Sequence, residues 1–303
     1  MVQGSRKNNF SQERHRFIPK PYELIHQCFI DAGFDKKPEE FFKENASEVV
    51  KTLRSVAWDR YIKGERDFEN YAHDKAASAL DYGNRSQKDS VTYFLSEYSD
   101  YVYELFLSKT QSRRARAGKE FEAIIELLFM GAGIELDSQG NIASKFFTEK
   151  GLGKSVDLVI PGAIEFEINK RNVMLVSAKT TLRERWQEVA EEMSRTGVSE
   201  IYLATLDDNV SDKVLDNLYE SNIILVTLEC VKREKYSHTS RVITFENLLE
   251  LAETKSLLWK DHVYTNEQHT AKLKAVKSQI AKHADKDFVT RFYSSIAAGI
   301  IDS

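Results

Sequence analysis

Proline is scarce in this chain, with four in 303 residues, and glycine at thirteen is sparse as well. Proline removes a backbone donor and glycine loses the most entropy on folding, so a chain poor in both suits long helices and regular strands rather than linkers. The two cysteines, Cys28 and Cys230, lie far apart and without metal-ligand spacing. That argues against a disulfide framework or a zinc ribbon and suits buried thiols in a reducing compartment. No stretch approaches the roughly 18 apolar residues of a membrane span. The opening MVQGSRKNNF lacks the apolar core of a signal peptide, so a cytoplasmic protein with no membrane partner is expected. Positive charge is not in excess either: 43 Lys+Arg against 47 Asp+Glu leave a net charge of −4. Bulk charge therefore does not draw this molecule to nucleic acid, and only a local field over one face can do so.

What is present is ordinary globular material, 42% hydrophobic and 30% charged, with ample chain for a core. After a polar, basic arm (residues 1–18), Leu24, Ile25, Cys28 and Phe29 recur at helical spacing and Gly33 closes the helix. A second helix is predicted from Pro38 to Tyr61, with Phe41, Phe42, Val49, Val50, Leu53 and Ala57 inward; Arg54 and Trp58, four apart, share another side. A tyrosine-rich helix follows over Ser90 to Leu107. Then comes Lys109 to Lys119, with Lys109, Arg113, Arg114, Arg116 and Lys119 and no acid. Gly118 to Met130 makes a further helix whose apolar stripe is flanked by Glu122.

Beyond residue 140 the periodicity changes. Ile142 to Thr148 is a weak strand, and Val156 to Gly162 is a strong one stopped by Pro-Gly. Ile164 to Asn169 is predicted to extend the sheet edge, and Val173 to Lys179 is the central strand. A helix over 183–195, strand 200–205, helix 211–219 and strand 223–227 complete an α/β layered core with parallel strands in its second half. The tail is helical over Phe245 to Trp259 and His269 to His283.

Asp157 and Lys179 each stand at a strand end, and on neighbouring strands they project from one end of the sheet. Phosphodiester hydrolysis needs a divalent cation on hard oxygen ligands, an activated water and positive charge on the developing dianion. Asp157 suits the ligand and Lys179 the charge. Metal nucleases commonly carry an acid two residues before the lysine, and here that position is Ser177. A replacement carboxylate is available on the following helix in Glu192, with Glu191 as its competitor; periodicity does not separate them.

Asp157, Ser177-Ala178-Lys179, the K-x₃-R-E-R turn through Arg183-Glu184-Arg185, and Glu192 together resemble the relocated-acid version of the PD-(D/E)xK fold. This version occurs in the SsoII/PspGI/EcoRII group of type II restriction endonucleases. The resemblance implies an α/β, restriction-endonuclease-like core with a mixed sheet flanked by helices. Residues 1–80 would be a helical region contacting DNA and holding a base pocket, and residues 81–303 the catalytic and dimerisation domain. It implies catalytic Asp157, Lys179, Glu192 and Glu122, with Mg²⁺ on Asp157 and Glu192. It further implies a minor-groove contact at Gln111, an extruded-base pocket at Arg54 and Trp58, and phosphate steering by the Lys109 to Lys119 segment. Valine replaces the motif's proline before Asp157, a position that need not bind metal.

The chemistry of the triplet agrees. Arginine bonds guanine O6 and N7 bidentately and glutamate accepts from cytosine N4, so Arg183, Glu184 and Arg185 suit consecutive G·C pairs. Without the lysine beside them they would be a solvated charge cluster. The expected partners are double-stranded DNA, a second copy in a homodimer and, genetically, a cognate methyltransferase. The family resemblance implies a CCNGG site, cut before the first C to leave a five-nucleotide 5′ overhang. Central nucleotides are expected to flip out at a cost of a few kcal/mol, offset in part by stacking on Trp58. CCWGG specificity, a structure-selective nuclease and a non-catalytic DNA-binding regulator are the alternatives.

Overall fold

A computed structural model describes residues 9–138, 152, 156–183 and 185–302. The expected weak strand at 142–148 lies outside the described residues.

Short helices α1 (Phe10–Arg14) and α2 (Pro21–Asp31) lead into a 3₁₀ turn (Phe34–Lys36) and α3 (Glu39–Glu44). Proline at the first turn of α2 loses no hydrogen bond, because that N–H is an orphan in any helix. Two long helices follow, α4 (Ala46–Ala77) and α6 (Ser99–Gly131), with α5 (Gln87–Glu97) between them. The helix expected to end at Tyr61 therefore begins after a break at Asn45 and runs on to Ala77. The expected tyrosine-rich helix is divided at Tyr98 between α5 and α6. The basic segment and the Gly118 to Met130 stripe belong to the same continuous α6.

Among the described residues the sheet has six strands in sequential order: β1 (Asp137–Ser138), β2 (Leu158–Ile160), β3 (Met174–Lys179), β4 (Ile201–Thr205), β5 (Ile223–Thr227) and β6 (Val242–Thr244). β1 to β3 pair antiparallel, and β3 to β6 pair parallel. The parallel half requires crossovers, supplied by α8 (Trp186–Thr196), α9 (Asp212–Glu220) and α10 (Glu229–Lys235). Three helices close the chain: α11 (Phe245–Leu257), α12 (Asn266–Lys282) and α13 (Asp287–Asp302). Neither β6 nor α13 is foreseen by periodicity.

One expectation is overturned. Residues 163–169 are not a sheet edge but helix α7 (Ala163–Asn169). Ile164, Phe166 and Ile168 alternate with Glu165 and Glu167, which imitates a half-buried strand. Glu165 is nevertheless buried, because Lys272 (2.7 Å) and the Tyr264 hydroxyl (2.6 Å) satisfy it from the tail. A distant partner thus removes the polar meaning of that position.

Side chains alternate across β3. Met174, Val176 and Ala178 enter one core with Leu53 of α4, Phe121 and Phe129 of α6, and Phe245 of α11. Leu175 enters the opposite core with Val189 of α8 and Leu215 and Leu218 of α9. Each fully buried large apolar side chain contributes roughly 1.5–3 kcal/mol, and both sheet faces are covered as a parallel sheet demands. The N-terminal helices share the first core with the sheet. Among the described residues no helix is long and apolar enough to cross a membrane.

Candidate active site

The site is built where β2 begins and β3 ends. The Asp157 N–H donates to the Val176 carbonyl (2.9 Å). This holds the Asp157 carboxylate so that Oδ2 accepts from the Ala178 N–H (2.6 Å) and from Lys179 Nζ (3.1 Å). Both side chains are nearly fully buried, at 5% and 6% exposure. A buried ion pair is costly unless hydrogen-bonded, and here the backbone donor shares the task. Burial pushes the Asp157 carboxyl above the usual carboxylate range; Lys179 and the Ala178 N–H oppose that push.

From α6, Glu122 approaches the same point. Its pKa is pushed up to about 7, first by burial and then by the Asp157 charge, against Lys179, Lys119 and Arg185. Glu122 and Asp157 line a cavity of about 450 Å³ shared with Lys119, Glu126 and Lys282. Glu126 is fully buried one helix turn beyond Glu122, and its pKa is raised to about 8 by burial. Lys282 and Glu126 are missed by reading the sequence. An acid inside the apolar run AIIELLF is the one local signal for Glu126; nothing local marks Lys282.

Strand alternation places Ser177 and Lys179 on the face occupied by Leu175, the face that α8 covers. Asp157 shares it through the same alternation with Val159. Glu192 of α8 is buried at 7% exposure and pairs with Arg195, while Glu191 is exposed. Burial thus separates two acids that periodicity leaves equivalent.

Arg183 and Arg185 are exposed on the turn between β3 and α8. Arg183 has φ 41°, in the left-handed region that costs a non-glycine residue roughly 1–2 kcal/mol. Asp207 Oδ2 fixes the turn by accepting from the Leu182 N–H (3.1 Å). Glu184 lies outside the described residues.

On the helical side, Arg54 lies 5.4 Å from the Trp58 ring centroid, and Tyr61 lies 5.7 Å from it. Arg54 also reaches Glu120 Oε2 at 3.4 Å. Gln111 is exposed and lines a groove of about 340 Å³ with Ser11, His15, Ser112 and Lys119. The basic segment is not uniform, which corrects its reading as a single phosphate clamp. Arg116 is buried against Glu120 (3.1 Å) and the Pro19 carbonyl (2.8 Å), and Lys109 pairs with Glu69. Arg113, Arg114 and Lys119 remain exposed.

The family profile described as EcoRII C terminal matches residues 83–249. The type II restriction enzyme SsoII of Shigella sonnei is 42% identical over 299 residues, covering 99% of this chain and 98% of that enzyme. The chain belongs to the SsoII and EcoRII C-terminal family of type II restriction endonucleases. Among solved structures, metal-depleted Ecl18kI in complex with uncleaved, modified DNA has a TM-score of 0.88 at 41% identity, covering 95% of this chain and 96% of that one. A PspGI–substrate DNA complex has a TM-score of 0.59 at 16% identity, over 82% of this chain and 98% of that one, and shows the shared fold.

This endonuclease is therefore a site-specific deoxyribonuclease of a family that works with divalent metal ions. Its residues fit such an ion by the chemistry of their donors. Asp157 offers a hard carboxylate, Glu122 and Glu192 are further acids, and the Ser177 hydroxyl is fully buried without a hydrogen-bond partner among the described residues. Among the described residues no group of three or more acid, histidine or cysteine side chains is gathered tightly enough to enclose a metal.

Proposed function

We propose that this endonuclease cuts double-stranded DNA with Mg²⁺ at a palindromic CCNGG site, before the first C, leaving five-nucleotide 5′ overhangs. The observation that carries the catalytic part is the Asp157–Lys179 pair, set by β2–β3 register and joined by Glu122. Asp157 and Glu192 hold the metal, which when bound supplies charge neutralisation and polarisation of the phosphate. Lys179 holds positive charge beside the scissile phosphate, where it stabilises the developing dianion. Glu122 supports the pair from α6, its carboxyl pushed up by burial and by the Asp157 charge beside it.

Arg183 and Glu184 read the inner C·G pairs, Arg185 reads the outer ones, and Gln111 contacts the minor groove. The exposure of both arginines on a braced turn supports their availability to base edges. Central nucleotides leave the stack for the Arg54–Trp58 pocket of the 1–80 region. Residues 81–303 carry the chemistry and a twofold dimer contact, because a palindrome is read by a symmetric pair. Digestion of one sequenced plasmid with Mg²⁺ and mapping of the ends tests substrate, specificity and cut position together. Ends at any other sequence, or no cutting by the full chain, would overturn the reading.

A further inference from the structure

Three guanidiniums crowd the seam between α4 and α6, and they are not equivalent. Arg54 and Arg116 both pair with Glu120, through Oε2 and Oε1. Arg116 also lies over Tyr61, 5.4 Å from its ring centroid. Arg113 is exposed and sits 4.6 Å from the Trp58 centroid, and among the described residues no ion pair is recorded for it. It is close enough to Arg54 to repel it: the Arg54 pKa is lowered, first by burial and then by the Arg113 charge, with Glu120 opposing.

The Trp58 ring is therefore attended by two cations, one neutralised by a carboxylate and one not. A base stacked on Trp58 cannot share that surface with a guanidinium already lying over it. Base–aromatic stacking outweighs an exposed cation–π contact, so the arginine gives way. A nucleotide brings its own anion into the same space, and a displaced, unneutralised guanidinium beside a second cation is held best by a phosphate.

We infer that Arg113 is a positioning residue for the extruded nucleotide. It covers Trp58 in the free protein and, when the base takes the ring, moves to the phosphate next to that base. This inference rests on the base-extrusion reading and adds a residue to it. Arg113 thereby guards a hydrophobic surface without DNA and contributes one phosphate contact with DNA.

The test uses the full chain and CCNGG duplexes in metal-free buffer, with 2-aminopurine at the centre. In a parallel set, each phosphate flanking the centre is replaced singly by a neutral methylphosphonate. Arg113→Gln removes one phosphate contact from each subunit of the dimer and is expected to reduce the slope of log affinity against log salt by about 1.8. Equivalently, between 50 and 200 mM salt the wild type loses about twelvefold more affinity than the variant. One methylphosphonate position should weaken the wild type and leave Arg113→Gln unaffected, while Arg113→Lys retains the wild-type slope. Normal 2-aminopurine brightening with an unchanged Arg113→Gln slope, or equal methylphosphonate losses in both proteins, overturns the Arg113 assignment alone. Unchanged 2-aminopurine fluorescence in the wild-type complex overturns base extrusion and this inference with it.

Discussion

Glu126 offers a test of the electrostatics behind the site. Its carboxyl is fully buried, Oε1 has no hydrogen-bond partner among the described residues, and burial raises its pKa from the ordinary 4.5 to about 8. Ser138 and Lys282 oppose that rise, the nearby Glu122 adds to it, and Tyr22 faces the same carboxyl. In the unfolded chain the group ionises near 4.5, so above that pH the folded state binds more protons than the unfolded one. The stability it contributes is complete below 4.5 and is lost as pH rises through about 8. At 1.36 kcal/mol for each pH unit of that gap, the full loss is about 5 kcal/mol, of which about 3 kcal/mol falls between pH 5.5 and 9. Glu126→Gln keeps the shape and cannot ionise. Relative to a neutral carboxyl the wild type is already weakened by about 1.5 kcal/mol at pH 5.5, so the midpoint of the variant should lie modestly above wild type there and far above it at pH 9, with a free-energy difference that grows by about 3 kcal/mol. Asp137, also pushed to about 7, titrates in both proteins and cancels from the difference. A difference that stays constant within about 0.5 kcal/mol across this range would refute the reasoning, because Glu126 would then titrate like an exposed acid.

Lys179→Ala and Asp157→Ala are each expected to abolish plasmid cleavage while leaving specific DNA binding, measured by gel shift with Ca²⁺, largely intact. Trp58→Ala should remove the 2-aminopurine response at the central position and weaken binding by about 1–3 kcal/mol, read by fluorescence titration. Gly131→Ala places a methyl 2.5 Å from the Phe42 ring, so thermal denaturation should report a loss of about 1–3 kcal/mol with recognition unchanged.

Much of the fold is legible where one residue's neighbours in sequence are also its surroundings. The strands through Leu158, Leu175, Leu203 and Leu225 announce themselves because both sheet faces are covered and each strand carries a buried apolar run. Helix α6 is harder, because its surroundings change along its length: Tyr103 and Phe106 are exposed, Arg116 is buried in an ion pair, and Phe121 to Met130 meet the sheet. One helix in three environments shows three patterns, and it is read as separate pieces. Glu165 misleads for the related reason that its partner Lys272 lies over a hundred residues away.

The same distinction separates the parts of the site. Asp157 and Lys179 can be found because chemistry and position coincide at strand ends, and register then makes their contact inevitable once β2 and β3 pair. Arg113 could have been set apart from Arg116 by helical spacing alone, since Arg116 and Glu120 stand four apart on one helix and neutralise each other. The partners of Glu126 have no such local sign, because Tyr22, Ser138 and Lys282 arrive from three separate elements. Ser177 lies between these cases. Its place before Lys179 tells the reader that an acid is missing, but only burial of Glu192 over exposed Glu191 indicates which side of α8 faces inward. A departure from a motif therefore carries information about position before it carries information about identity, and the burial of Glu192 supports it over exposed Glu191 as the proposed second carboxylate.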